Sequence, residues 1–194
     1  RAGAATVGPM ASWRRDAIAM AALVVAGGAL TLAVGERIGI NGGQGWDGMA
    51  YTQWAQAFGR EVLERGVTAY QAQRVLPSAI VHLGLRAVGA APTPAHAIVG
   101  FAVLDTSMLA AAAALWAAIG GARGWSSAAR WAGFAGVFLG FAQARHALYY
   151  PTLTDPTAFA LGMAAAWAFV VDRPIALAAV AALAAATWPA LTPV

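Results

Sequence analysis

The chain alternates between apolar stretches of near-bilayer length and short turns that carry its charges. Apolar runs occupy 17–35, 96–119, 128–144, 157–171 and 174–189, with a shorter one at 76–90. A transmembrane helix needs about 20 mostly apolar residues to cross about 30 Å of hydrocarbon. Only helices and closed barrels satisfy their own backbones there. Repeated runs of this kind predict an all-α polytopic membrane protein. Composition points the same way: 60% of the 194 residues are apolar and 10% are charged, against about 25% charged in soluble domains. Cysteine is absent, which excludes disulfides, thiolate metal sites and cysteine nucleophiles.

The run 17–35 follows Arg14 and Arg15 and ends in small residues, as a secretory signal peptide does. Its length, and the runs after it, favour a first span. The run 76–90 is short for a span, and Ser78, His82 and Arg86 recur every four residues, giving one polar stripe on a helix. It reads as a helix in the membrane interface, or as one whose stripe lines a polar cavity. The arginines arbitrate. If 76–90 does not cross, Arg14, Arg15, Arg123, Arg130 and Arg173 share one side, which the positive-inside rule makes cytoplasmic. The net charge of +4 is then an orientation signal rather than a nucleic-acid patch. The expectation is a single transmembrane domain, 1–194, with about five spans: a cytoplasmic tail 1–16, a first span 17–35, a periplasmic loop 36–95 with juxtamembrane helices, and the remaining spans in 96–194. A start at Arg1 and an apolar end at Val194 read as a chain incomplete at its C-terminus. Abundant Ala and Gly, with Arg but no Lys, fit a bacterial inner-membrane protein.

Two segments stand apart from the Ala-rich background. One runs from Gly45 through Trp46, Asp47 and Gly48 to Tyr51, and is followed by Tyr70, Gln73, Arg74, Leu76 and Pro77. The other runs from Arg145 and His146 to Thr154, Asp155 and Pro156. An acid at a loop–membrane boundary keeps its charge while facing a low-dielectric site, where it can act as a base or bind a cation. Arg74 and Arg145 suit a phosphate, because guanidinium offers a rigid fork of donors.

In order and spacing these motifs resemble the N-terminal module of the GT-C integral membrane glycosyltransferases. They are similar in particular to a bacterial group with Gly-Tyr-Asp-Gly-x-x-Tyr, then Tyr-Arg-x-Gln-Arg-x-Leu-x-Pro, then an acid-Pro turn opening a later span. The resemblance runs from about Gly45 to Pro189. It implies a polyprenyl-phosphate sugar donor used at the periplasmic face, and a first outer loop with juxtamembrane helices. It also implies a catalytic acid, Asp47, serving as base or as ligand to a divalent metal ion, with Asp155 as the second acid. Arg74 and Arg145 would bind the donor phosphate, with Tyr51, Tyr70, Gln73 and His146 in support. The family's Arg-bearing motif near Thr187–Pro189 departs from the pattern here, Trp188 standing in the Arg position.

Plainer roles compete. Asp47 is a good N-cap for the helix that follows, Asp155-Pro156 is an ordinary helix opening, and Arg74 can snorkel to headgroups. Asp105, an acid inside an apolar run, calls for a partner, with Arg74, Arg145 or His82 in view. Trp13, Trp46, Trp125, Trp131 and Trp188 read as interfacial belt residues. His82, His96 and His146 are scattered as pigment, haem or metal ligands. Membrane lipids are the expected surroundings, and nucleic acid is not an expected partner. A non-enzymatic subunit of a larger membrane complex, keeping a GT-C-like shell, is the rival to the enzyme.

Overall fold

Helices account for every regular element in the computed structural model, which describes residues 9–140 and 146–188; no strand occurs among them. In chain order these are α1 (Pro9–Val34), α2 (Gly48–Gln56), α3 (Ala69–Ala72), α4 (Val75–Ala87), α5 (Pro94–Ala122), α6 (Ser127–Phe138), α7 (Ala147–Tyr149), α8 (Asp155–Val170) and α9 (Pro174–Ala185). A 3-10 turn at Ile40–Gly43 precedes α2, and a π-helical turn at Gly59–Glu64 follows it. Helices lie in all five of the long apolar runs. Two of them, over Ser12–Val34 and Pro94–Ala122, are long and apolar enough to cross a membrane; α4, α8 and α9 are apolar but shorter.

The long helix α5 organises the rest. Thr93 caps it by accepting from the His96 amide, and Pro94 supplies the fixed φ of a first turn. α1 packs antiparallel to it at close range. A Cβ on Gly28 would sit 2.6 Å from Thr106 Cγ2, and one on Gly121 would sit 2.6 Å from Trp13 Cγ. Small residues let two backbones approach this closely.

Along α5 the core divides in two. Ala97, Phe101 and Leu104 pack with Tyr51 and Trp54 of α2 and with Val81 and Leu85 of α4. Ala112, Ala113 and Ala117 pack with Met20 of α1, Phe134 and Phe138 of α6 and Ala160 of α8. Met108 touches both. The seam near residues 105–109 is where the candidate site lies.

Two expectations need correction. The α4 stripe does not face open water as a unit. Ser78 is fully buried, the His82 ring is held 2.9 Å from the Ala55 carbonyl, and Arg86 alone is exposed. Leu83 on the other side is 64% exposed. Arg130, counted above among the arginines that orient the chain, is buried and ion-paired. Its Nε donates to Asp16 Oδ2 at 2.7 Å, while Ser127 Oγ and Trp131 Nε1 donate to the same carboxylate. Asp16 lies inside α1, which already runs from Pro9. This network ties α1 to α6, and Trp131 takes part in it.

Candidate functional site

The loop before α2 is shaped by its glycines. Asn41 adopts a left-handed φ of 50° and its Nδ2 donates to the Gly45 carbonyl at 2.7 Å, which folds the loop back on itself. Gly45 has a φ of +70°, and a Cβ there would lie 2.2 Å from the Tyr150 ring. A Cβ on Gly48 would lie 2.0 Å from Thr152 Oγ1. Only a hydrogen at these two positions lets the Gly45–Tyr51 segment seat against the Tyr149–Asp155 segment. Hydrogen bonds fix the register. The Ile38 amide donates to the Tyr149 carbonyl at 3.0 Å, and Thr152 Oγ1 donates to the Gln44 carbonyl at 2.8 Å. Thr52 also donates to the Gln44 side chain. Two motifs about a hundred residues apart thus interlock into one surface.

Arg74 lies between aromatic rings at the start of α4. Its guanidinium stands 4.4 Å from the Tyr70 ring and 4.2 Å from the Trp188 ring. Its Nη1 donates to the Tyr51 hydroxyl at 3.3 Å, and its buried Nε has no partner. With the rings this near, the in-plane donors that remain are the groups a ligand would engage. Burial works against the charge, but the Tyr51 bond and the influence of Tyr51, Tyr70 and Asp155 outweigh it, so the guanidinium sits above its ordinary value. Burial pushes the Tyr51 hydroxyl up. Arg74 pulls it back, and Asp47 adds to the rise. Asp47 and Asp155 are therefore both within electrostatic reach of the Tyr51–Arg74 pair.

Asp155 opens α8 and is exposed into a cavity of about 310 Å³, lined also by His146, Leu109, Phe159 and Trp188. Trp188 is shared: its ring covers Arg74 and also walls the Asp155 cavity. The Leu76 amide donates to the Ala186 carbonyl at 3.0 Å, joining the α4 start to the end of α9 and holding Trp188 in place.

The structure thus brings together Tyr51, Tyr70, Arg74, Asp155 and His146, with Asp47 at the edge. Asp47 holds the N-cap position of α2, yet its side chain makes no capping hydrogen bond and is exposed. Capping therefore does not account for it. Asp155 likewise makes no capping bond to α8, for which Thr154 is the N-cap residue. Gln73 is half-buried, with no side-chain hydrogen bond among the described residues. Arg145 lies outside the described residues. His82 and His96 are held by the Ala55 and Ala91 carbonyls, far apart in the chain from His146. Among the described residues no group of three or more His, Asp or Glu side chains could hold a metal ion. A divalent ion at Asp47 or Asp155 would have to take most of its shell from water and substrate oxygens.

Trp188, read from sequence as an interfacial belt residue, packs against Arg74. Asp105 was expected to be paired, but both its carboxyl oxygens are buried without a hydrogen bond. No protein-family profile, curated protein or solved structure matches the chain.

Proposed function

We propose that the chain is a polytopic membrane glycosyltransferase of GT-C type, or the N-terminal part of one, using a polyprenyl-phosphate sugar at the outer face of a bacterial inner membrane. The observation that carries this reading is the interlock: the two acid-bearing motifs seat on each other through Gly45 and Gly48, the first reaching Arg74 through Tyr51 and the second lining the Asp155 cavity. The five-span topology is supported by four exposed arginines. Arg14 and Arg15 adjoin the Trp13–Gly121 contact, Arg123 closes α5, and Arg173 follows α8, which runs from the level of Leu109 toward that same end.

In this mechanism Asp47 takes the proton of an acceptor hydroxyl as its oxygen forms a bond to the anomeric carbon. The bond from that carbon to the donor phosphate oxygen breaks, and the lipid phosphate leaves with the electron pair. Arg74 meets the charge that develops on the phosphate, the group a fixed donor stabilises most. Asp155 stands on the cavity side to orient the sugar.

The test is Asp47→Asn in the full-length protein. Asn ranks with Asp as a cap and no capping bond exists here, so melting should stay within about 0.5 kcal/mol, as for surface changes. Transfer from a polyprenyl-phosphate sugar in membranes should fall about 10²–10⁴-fold, the usual cost of losing a general base. Transfer at the wild-type rate would remove Asp47 from the chemistry. A wild-type protein inactive with every donor would favour a non-enzymatic subunit, a reading the Trp188 cover over Arg74 also fits.

A further inference from the structure

Leu109 lines two cavities. One is the polar cavity of about 310 Å³ that holds Asp155. The other, of about 220 Å³, lies between α1 and α6 and is walled by apolar side chains together with Gly27, Gly28 and Thr31. The Thr31 hydroxyl is spent on the Gly27 carbonyl at 2.9 Å, so the wall it adds is apolar too. Other walls are shared between the two cavities. On α7, Ala147 faces the polar cavity and the next residue, Leu148, faces the apolar one. Phe159 lines the first and packs edge-on at 5.5 Å against Phe138, which lines the second.

Depth follows from the helix pairing. Gly28 closes against Thr106 and Trp13 against Gly121, so the Gly27–Thr31 turn of α1 stands at the level of the core seam. In the proposed topology this level lies toward the outer face. Leu23, Leu30 and Leu139 on the rim of the apolar cavity are exposed, so it opens sideways, where lipid chains would stand. Across the shared wall, Trp188 lines the polar cavity and covers Arg74, whose buried Nε has no hydrogen-bond partner. An apolar seat joined to a polar cavity beside a guanidinium suits an amphiphile with a phosphate head. A larger apolar groove of about 490 Å³ between α4 and α5 shares no lining residue with the polar cavity. One chain seat beside one phosphate seat fits a lipid with a single hydrocarbon chain.

We propose that the cavity between α1 and α6 seats the isoprene units nearest the phosphate of a polyprenyl phosphate, with that phosphate in the polar cavity on its Arg74 side. This deepens the reading of the site given above and rests on it for the identity of the lipid; the seat itself requires no sugar transfer. Bilayer chains are as apolar as the seat, so the seat adds little affinity by burial alone. Its effect is to fix where the chain lies, and hence where the phosphate is presented. Gly27 leaves the room for it, since a Cβ there meets nothing within 4 Å.

The test is photolabelling of the full chain in phosphatidylcholine nanodiscs with a polyprenyl phosphate that carries a diazirine near its phosphate end, mapped by peptide mass spectrometry. Label should concentrate on residues 23–31 of α1 and on α6. Gly27→Leu fills the seat from an exposed helix position and should lose most of that label, as should Leu23→Trp, one turn earlier on the same face. Gly84→Leu fills the larger groove, where a Cβ also meets nothing within 4 Å, and should keep it. Unaltered label in Gly27→Leu and Leu23→Trp, or an equal loss in Gly84→Leu, would overturn the seat. So would equal labelling of residues 23–31 by the phosphate-free polyprenol, which would uncouple the seat from Arg74, or by a diazirine-bearing phosphatidic acid, which would make it a general lipid contact. No arm reads sugar transfer, so an inactive protein can still show the seat and an active one can still lack it.

Discussion

The interlock can be tested by adding one methyl group. Gly45→Ala imposes two separable costs. The left-handed backbone at φ +70° costs an L-residue roughly 1–2 kcal/mol. The new Cβ also lands 2.2 Å from the Tyr150 ring, where no real Cβ atom sits, so ring or loop must move. Overpacking of this kind typically costs about 1–3 kcal/mol. The sum is a loss of about 2–5 kcal/mol. Tyr150 is nearly buried, at 5% exposed, so Tyr150→Ala has its own penalty of about 3–5 kcal/mol for a lost aromatic. Removing the ring frees the space, however, and in that background Gly45→Ala should cost the backbone term alone. Equilibrium unfolding of the four variants in mixed micelles gives the coupling energy directly, expected at about 1–3 kcal/mol. An equal cost of Gly45→Ala in both backgrounds would mean that Gly45 serves only its own turn, and the seating of one motif on the other would lose its basis.

Three further outcomes follow from named contacts. Asp16→Ala should destabilise the chain by about 3–5 kcal/mol because it strands the buried Arg130 charge, whereas Asp16→Leu with Arg130→Met should regain most of that loss in the same unfolding assay; equal losses would argue against the ion pair. Arg74→Lys should weaken binding of inorganic phosphate or a soluble phosphodiester, read by calorimetry, since an ammonium lacks the flat fork that fits between Tyr70 and Trp188; unchanged binding would place the anion elsewhere. Tyr51, whose hydroxyl burial pushes up, should ionise in a late step above the ordinary tyrosine value of about 10 in an alkaline absorbance titration. A folded-state value above the unfolded one favours the neutral form, so this contribution is complete below about pH 10 and is lost as pH rises through the folded value. Tyr51→Phe should remove that late step.

How much the sequence disclosed depends on the distance over which each property is set. Helices fall in the apolar runs because hydropathy and helix propensity are local, and the caps at Thr93 and Ser126 are visible in the chain itself. The α4 stripe was visible too, but not its orientation, which depends on α2 supplying the Ala55 carbonyl to His82. Arg130 reads as a loop charge until α1 brings Asp16 to it from more than a hundred residues away. Trp188 belongs to a belt by composition and to Arg74 by packing. The acids were found because charge in an apolar chain is costly wherever it stands. Which acid lacks a partner is a tertiary fact, and Asp105 shows it: the sequence offered three candidate partners, and neither His82 nor Arg74 reaches it.

The length of α5 relates the site to the proposed membrane. Its 29 residues extend about 43 Å at 1.5 Å per residue, against about 30 Å of hydrocarbon. With the arginine end at the inner boundary, roughly nine residues at the Pro94 end rise above the outer one. Those residues include Ala97 and Phe101, which pack against α2 and α4. With the membrane placed so, the first core rests at the outer surface and the second fills the bilayer, while the seam between them, at residues 105–109, falls about 4–10 Å below the outer boundary. Leu104 is on the upper side of that seam and Leu109, which lines the Asp155 cavity, on the lower. Under the proposed function, a lipid-linked donor would reach Arg74 from the side of the membrane. A soluble acceptor would approach from above through the exposed Asp47. On this arrangement the division of the core into two is what allows a charged site to stand on an otherwise apolar bundle. The polar groups are held at a boundary that both layers share, and neither layer has to enclose them alone.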